Sequence, residues 1–251
     1  STAAQQRDKA RMFDRIAHRY DFLNRLLSLR CDVIWRRRMA ECLPSTKNLR
    51  VLDVATGTAD SLLSLAQHCD RIDLGVGLDM AERMLRIGLA KLNQSGHSKR
   101  LSLVRADGAA IPFEDGSFDV VTIAFGIRNF ADTIGGLREF HRVLRSDGRL
   151  LVLEFSLPTN SFLRRCYLAY FRCIMPLIGR LLSGDTAAYR HLNRSVESFP
   201  YGSEFLELMT AAGFSDVHAQ PLTFGVATIY LGYKKSVSND LLHDTQADGT
   251  H

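Results

Sequence analysis

From residue 49 onward the chain alternates short apolar strands with amphipathic helices, and this alternation restricts its fold more than any other feature. The strand candidates are "LRVLDVA" (49–55), "IDLGVGLD" (72–79), "RLSLVRA" (100–106), "FDVVTIAF" (118–125) and "GRLLVLEF" (148–155). Helical patterns fit between them at 60–69, 81–93 and 132–145. Strands separated by helices pair in parallel, because each crossover returns the chain to the same end of the sheet. A doubly wound α/β domain is expected. After "LEFS" the alternation breaks: residues 160–198 show helical stretches rich in Arg, Tyr and Phe, which read as an insertion. A helix at 203–212 ends at Gly213, and "DVHAQPLT" and "VATIYLGYK" read as a final hairpin-like pair of strands.

With 46% hydrophobic residues among 251, the chain can bury a sizeable core in one domain. No run approaches the roughly 20 apolar residues of a spanning helix, and no charged-then-apolar leader opens the sequence, so a soluble intracellular protein is expected. Cys31, Cys42, Cys69, Cys166 and Cys173 lack metal-site spacing and read as reduced, mostly buried thiols. The net charge of +5 is concentrated in residues 7–38, which hold ten Lys and Arg against four Asp. Met12, Ile16, Tyr20, Leu23 and Leu27 predict a helix over 7–29, and a second, over 32–43, is stopped by Pro44. Residues 1–48 therefore read as a basic helical arm. Such an arm suits an anionic membrane or plain solvent better than nucleic acid, since no recognition module accompanies the charge. The polar residues 236–251 are expected to form a disordered tail.

Ligands of a doubly wound sheet bind past the carboxyl ends of its strands. Gly57 follows the first strand and precedes a helix start, where backbone N–H groups can approach a ligand. Asp79 ends the second strand, placed to accept both ribose hydroxyls, or alternatively to cap the next helix. Asp107 follows the third, placed to meet an adenine edge or to shape an Asp-Gly turn. A loop for pyrophosphate would be neutral or basic and would carry three glycines, whereas "VLDVATGTAD" has Gly57 bracketed by Asp53 and Asp60. A cationic ligand is the better match, and S-adenosylmethionine, with a sulfonium and no phosphate, fits. The rival reading, a nicotinamide-dependent dehydrogenase, lacks its glycine triad.

With these blocks in view, the chain resembles the class I S-adenosylmethionine methyltransferases, and within them the quinone-biosynthesis C-methyltransferases acting on demethylmenaquinol and polyprenyl-methoxy-benzoquinol. The resemblance spans about Phe13 to Lys234 and is most specific in "FDRIAHRYDFLN" (13–24), "PFEDGSFDVVTIAFGIRN" (112–129) and "PLIGRLLSGDTAAYRHLNRSVESFP" (176–200). It implies a Rossmann-like, seven-stranded, mostly parallel sheet with the last strand antiparallel and helices on both faces. It implies a methyltransferase domain over 49–235 behind an N-terminal lid. It implies cofactor contacts at Thr58, Asp79, Asp107 and Gly108, with Ala124 at a strand end; Asp53, Gly57 and Met80 complete the expected cofactor set. Ala59 stands where relatives usually have glycine, His18 where they often have proline, and His191 where they often have tyrosine.

Methylating a quinol carbon requires the neighbouring hydroxyl to ionise, and a free phenol titrates near pKa 10. Arg128 and Asn129, after the fourth strand, are the expected catalytic pair: Arg128 stabilises the phenolate or positions a water, or else serves as an ion pair holding its loop. Tyr20 of the lid, and more weakly His18, would complete the site. The insertion "FLRRCYLAYFRCIMPLIGRLL" (162–182), with four Arg and no acid, reads as a packed helix pair or as a membrane-facing rim for a polyprenyl tail. The expected partners are a polyprenylated quinol, a membrane contacted peripherally, and a homodimer or a quinone-biosynthesis assembly; the expected place is the inner face of a membrane, or the matrix or plastid side in a eukaryote. A class I methyltransferase for another phenolic or lipid substrate, or a non-catalytic scaffold, are the competing readings.

Overall fold

The computed structural model describes residues 2–174, 195–196 and 199–235. Two helices, α1 (Thr2–Leu27) and α2 (Cys31–Glu41), precede the sheet. Then follow β1 (Leu49–Val54), α3 (Asp60–His68), β2 (Ile72–Asp79), α4 (Glu82–Ser95), β3 (Leu101–Arg105), β4 (Phe118–Ala124), α5 (Thr133–Val143) and β5 (Leu144–Phe155). α6 (Ser161–Ala169) opens the insertion, and α7 (Ser203–Ala211), β6 (Ser215–Leu222) and β7 (Ala227–Tyr233) end the described chain. The second expected helix of the insertion, His191 and the expected tail lie outside the described residues.

The seven strands form one sheet in the order β3-β2-β1-β4-β5-β7-β6. Neighbours from β3 to β5 are parallel, while β7 runs antiparallel between β5 and β6. The expected fold, with its antiparallel last strand, is the observed one. β1, β4 and the stretch of β5 from Leu150 to Glu154 are almost wholly buried because helices cover both faces. α5 and α7 cover one face, packing Leu137, Phe140, Phe205 and Met209 against Val121, Val152 and Tyr230. α2 and α3 cover the other, with Trp35, Met39 and Leu65 against Val51, Leu151 and Ile229.

Two expectations change here. The second helix of the supposed arm is a core helix: Trp35 and Met39 are buried against the sheet, and the arginine run contributes Arg36, which is buried and ion-paired to Asp32. Of the residues read as an arm, that leaves α1. Among the cysteines, Cys69 is buried, Cys31 and Cys42 are half-buried, and Cys166 and Cys173 are exposed, so the thiols are less buried than expected.

Candidate active site

Strand order reverses between β1 and β4, and the loops leaving their carboxyl ends diverge to open a crevice there. It holds about 700 Å³, open mouth included. Val54 and Ala55 from the end of β1, Leu78, Asp79 and Met80 from β2, Ala106, Asp107 and Gly108 after β3, and Ala124 and Phe125 from β4 line it. α1 closes it from above with Lys9, Ala10, Phe13 and Tyr20.

The turn after β1 is built to present backbone. Gly57 has φ +57, and a Cβ built on it would meet nothing within 4 Å, so its side faces open space. Ala59 also takes a left-handed conformation, φ 64, as the residue preceding α3. Asp79 ties this turn to the start of α4: its carboxylate accepts from the Gly57 N–H at 2.8 Å and from the Ala81 N–H at 2.8 Å. The alternative seen directly is the bracing of the α4 start, and a carboxylate has about four lone-pair sites, so two remain for a ligand. Burial pushes the Asp79 carboxyl up, against its backbone hydrogen bonds. Asp107 accepts from the Ala109 N–H at 2.9 Å, which fixes its turn at the rim.

Eight of the expected residues are brought together around the crevice: Tyr20, Gly57, Asp79, Met80, Asp107, Gly108, Ala124 and Asn129. Three are placed elsewhere. Asp53 lies fully buried beneath the turn, its two oxygens accepting from Thr56 Oγ1 at 2.6 Å and Thr122 Oγ1 at 2.7 Å, so it braces the turn and does not face a ligand. Thr58 points toward the lid, donating to Asp21 Oδ1 at 2.6 Å. Arg128 is folded back by the short 3₁₀ turn Ile127–Asn129: Nη1 donates to Phe125 O and to Glu154 Oε1, each at 2.6 Å. Its side chain is 6% exposed, and the guanidinium lies 5.3 Å from the centre of the Phe155 ring. The ion-pair alternative is what the fold adopts. His18 is exposed on α1 and is not among the crevice residues.

Sequence reasoning missed Lys9, Phe13, Phe130 and Glu154. Lys9 Nζ donates to Asn129 O at 2.7 Å, closing the lid onto the loop after β4. Phe13 packs edge-on against Tyr20, their ring centres 6.0 Å apart, at a seven-residue spacing that was legible in the quoted block. Glu154 was visible as a lone carboxylate inside an apolar strand. Burial pushes its carboxyl up, with Arg128 opposing.

The residues present fit S-adenosylmethionine. Asp79 and Asp107 face the crevice with Lys9 as its one lining cation, a poor balance for a pyrophosphate and a suitable one for a sulfonium and ammonium. Gly57 provides the uncovered backbone against which such a ligand can rest.

A model of the ubiE/COQ5 methyltransferase family matches residues 1–234. The chain is 46% identical over 223 residues to the ubiquinone/menaquinone biosynthesis C-methyltransferase UbiE of Geotalea uraniireducens, covering 89% of this chain and 94% of that one. It is 47% identical over 221 residues to the demethylmenaquinone methyltransferase of Thermus thermophilus, covering 88% and 99%. Among solved structures, an S-adenosylmethionine-dependent methyltransferase from Thermotoga maritima superposes with a TM-score of 0.63 at 20% identity, covering 90% of this chain and 99% of that one, a likeness of fold.

Proposed function

The chain belongs to the ubiE/COQ5 methyltransferase family, and on that premise we propose that it moves a methyl group from S-adenosylmethionine to a ring carbon of a polyprenylated quinol. The reaction is the step from demethylmenaquinol to menaquinol or its benzoquinol counterpart. The observation that carries this reading is the crevice itself: two carboxylates at strand ends, a glycine whose Cβ side is open, and an aromatic lid helix over them. The quinone substrate is supported by the names of the relatives at 46–47% identity.

When bound, S-adenosylmethionine supplies an electrophilic methyl group. In this reading Asp79 accepts from its ribose hydroxyls, Asp107 meets the adenine rim, and the Gly57 turn carries the amino-acid end. α1 lies over the crevice as a lid, with Phe13 and Phe130 covering it from water and Tyr20 at the wall nearest the ring. Burial pushes the Tyr20 phenol up, so it stays protonated and serves as a hydrogen-bond donor to a quinol oxygen. Asn129 flanks the same wall. Arg128 stands behind that wall, paired with Glu154, so it is an electrostatic neighbour of the reaction and not its proton acceptor.

The polyprenyl tail keeps such a substrate in a bilayer, so the enzyme must meet a membrane surface. No helix among the described residues is long and apolar enough to cross one.

A methyl-transfer assay with tritiated S-adenosylmethionine, offering demethylmenaquinol and polyprenyl-methoxy-benzoquinol with short prenyl tails, tests the reading. Label is expected in the ring methyl of at least one. Cofactor binding by calorimetry without label in either quinol would overturn it.

A further inference from the structure

Behind the crevice wall lies a buried ion pair with spare polar capacity. Glu154, at the end of β5, is fully buried; its Oε1 accepts from Arg128 Nη1 at 2.6 Å and from its neighbour Phe155 N–H at 2.9 Å. Its other oxygen, Oε2, is buried with no hydrogen-bond partner among the described residues, and so is Arg128 Nε. A buried polar group left unpaired costs about 1–3 kcal/mol, more when charged, so this combination calls for a group that both donates and accepts. A hydroxyl does: it donates to the carboxylate oxygen and accepts from the guanidinium N–H.

We propose that Glu154 is the proton acceptor of the reaction, taking the proton of the quinol hydroxyl on Oε2 while Arg128 holds the carboxylate in place. This rests on the quinol reading above. The alternatives for the acceptor are poor. Arg128 is permanently protonated. Tyr20 and Tyr167 are phenols that burial pushes up. Asp53 is bonded to two threonine hydroxyls beneath the turn, and both Asp79 oxygens accept backbone N–H groups. The charged and titratable groups facing Glu154 are Arg128 from the turn after β4, Tyr167 from α6 and Tyr230 from β7. Burial raises the Glu154 carboxyl, which strengthens it as a base, and Arg128 opposes the rise.

Access follows from two contacts. Arg128 bonds to the carbonyl of Phe125, a crevice residue, and its charge reaches the phenol of Tyr20, so the pair backs directly onto the crevice wall. On the other side it neighbours Tyr167 of α6, a half-buried side chain with a buried hydroxyl that turns aside when a ring enters.

The step balances as follows. The quinol O–H bond breaks and its proton joins Oε2, leaving phenolate. The ring carbon's electron pair forms the new C–CH₃ bond as the C–S pair leaves with sulfur. The carbon then loses its hydrogen as a proton to solvent, restoring the aromatic ring, and the carboxyl returns its proton to the phenolate oxygen.

Three forms of the full chain test this: wild type, Glu154→Gln and Glu154→Asp. For Glu154→Gln, kcat on the short-tail quinol is expected to fall by about 10²–10⁴-fold, with the calorimetric Kd for S-adenosylmethionine near wild type and a lowered melting temperature, because Arg128 stays buried without its counter-ion. The acid limb of the pH–kcat profile should vanish, and Glu154→Asp should restore part of the rate together with that limb. A readout independent of turnover is the infrared difference spectrum on adding menadiol without cofactor: a protonated-carboxyl band is expected in wild type and not in Glu154→Gln. Wild-type kcat and an unchanged acid limb in a folded Glu154→Gln would overturn the assignment alone. If Glu154→Gln does not fold, the wild-type infrared band decides, and its absence overturns the assignment. A wild type that methylates neither quinol overturns the functional reading and this one with it.

Discussion

Asp53 shows what a single side chain's neighbours can hide from its sequence. A carboxylate three residues before "TGT" reads as a ligand group, yet the fold buries it under the turn between Thr56 and Thr122. Its partner Thr122 lies on β4, so its role depends on which strand β1 pairs with, and no local pattern records that. Arg128 is the same case: the direction of its side chain is set by Glu154, 26 residues away. Burial pushes the Asp53 carboxyl up to about 6, from the usual 3.8, against the two hydroxyl hydrogen bonds. In the folded chain it therefore holds its proton through a window in which the unfolded chain has lost it. The sign follows: a raised carboxylate favours the fold at low pH and loses that contribution as pH climbs from about 4 through 6. Asn keeps the size and can still bond both threonines. The stability of Asp53→Asn relative to wild type should rise across this window, by up to about 3 kcal/mol above pH 6. Urea melts at pH 4.5 and 7.5 measure it, and an equal difference at both would show that Asp53 does not titrate there.

At the level of elements, the sheet was legible because its strands are short apolar runs closed by Gly or Asp. β2 is observed over the residues read for it, 72–79. β5 begins at Leu144, earlier than read, because a register irregularity at 145–148 absorbs "RSDG" into the strand. α2 was misread as arm because its charges mask a narrow stripe of Trp35, Met39 and Ala40. α1 was read as a lid, but its fastenings were not visible, since each joins it to a distant element. Asp14 Oδ1 accepts from the Arg83 N–H at 2.8 Å, capping α4 where the preceding Ala81 has no side-chain oxygen. Lys91 Nζ bonds Asp21 and Asp60, each at 2.5 Å, and Thr58 Oγ1 at 3.0 Å, so one ammonium joins the lid, the glycine turn and α4. For Asp60, burial raises the carboxyl but Lys91, with Arg36 and Arg25, outweighs it and the net shift is downward, so this latch is present at neutral pH and lost as pH falls through the acid range. Lys91→Met leaves Asp21 and Asp60 facing each other without the cation. The expected result is a loss of about 1–3 kcal/mol in stability and faster amide exchange over residues 9–21, with the sheet amides unchanged. Unaltered exchange in α1 would show that Lys91 does not hold the lid.

On the scale of the whole molecule, the carboxyl edge of the sheet that carries the crevice also carries four of the large apolar side chains the fold leaves uncovered. Phe162 opens α6, Phe224 tips the β6–β7 turn, and Leu29 and Ile34 flank the start of α2; all four are more than half exposed. These segments meet at one end: Trp35 Nε1 donates to Thr223 Oγ1 at 2.8 Å, joining α2 to the β6–β7 turn, and Ser156 Oγ donates to Gly225 O at 2.8 Å, joining that turn to the chain leading into α6. Phe224 is held out at φ 58, a left-handed backbone that costs a side-chain-bearing residue about 1–2 kcal/mol. Exposed Arg30, Arg164 and Arg165 stand among these residues, and no acid occurs between Phe155 and Ile174. Under the function proposed above, these apolar tips ringed by arginine are the surface we expect to meet an anionic bilayer, rings toward the acyl boundary and guanidinium groups toward headgroups. In that proposed arrangement the crevice opens at the surface from which a polyprenylated quinol would come. Burying a Phe side chain is worth about 1.5–3 kcal/mol, so Phe162→Ser with Phe224→Ser should weaken binding to vesicles of anionic phospholipid by at least about a hundredfold. Turnover of a short-tail quinol in detergent, which needs no membrane, should stay near wild type. Flotation of the double variant equal to wild type would place the membrane contact on another face, and parallel loss of both readouts would show that the substitutions damage the enzyme itself.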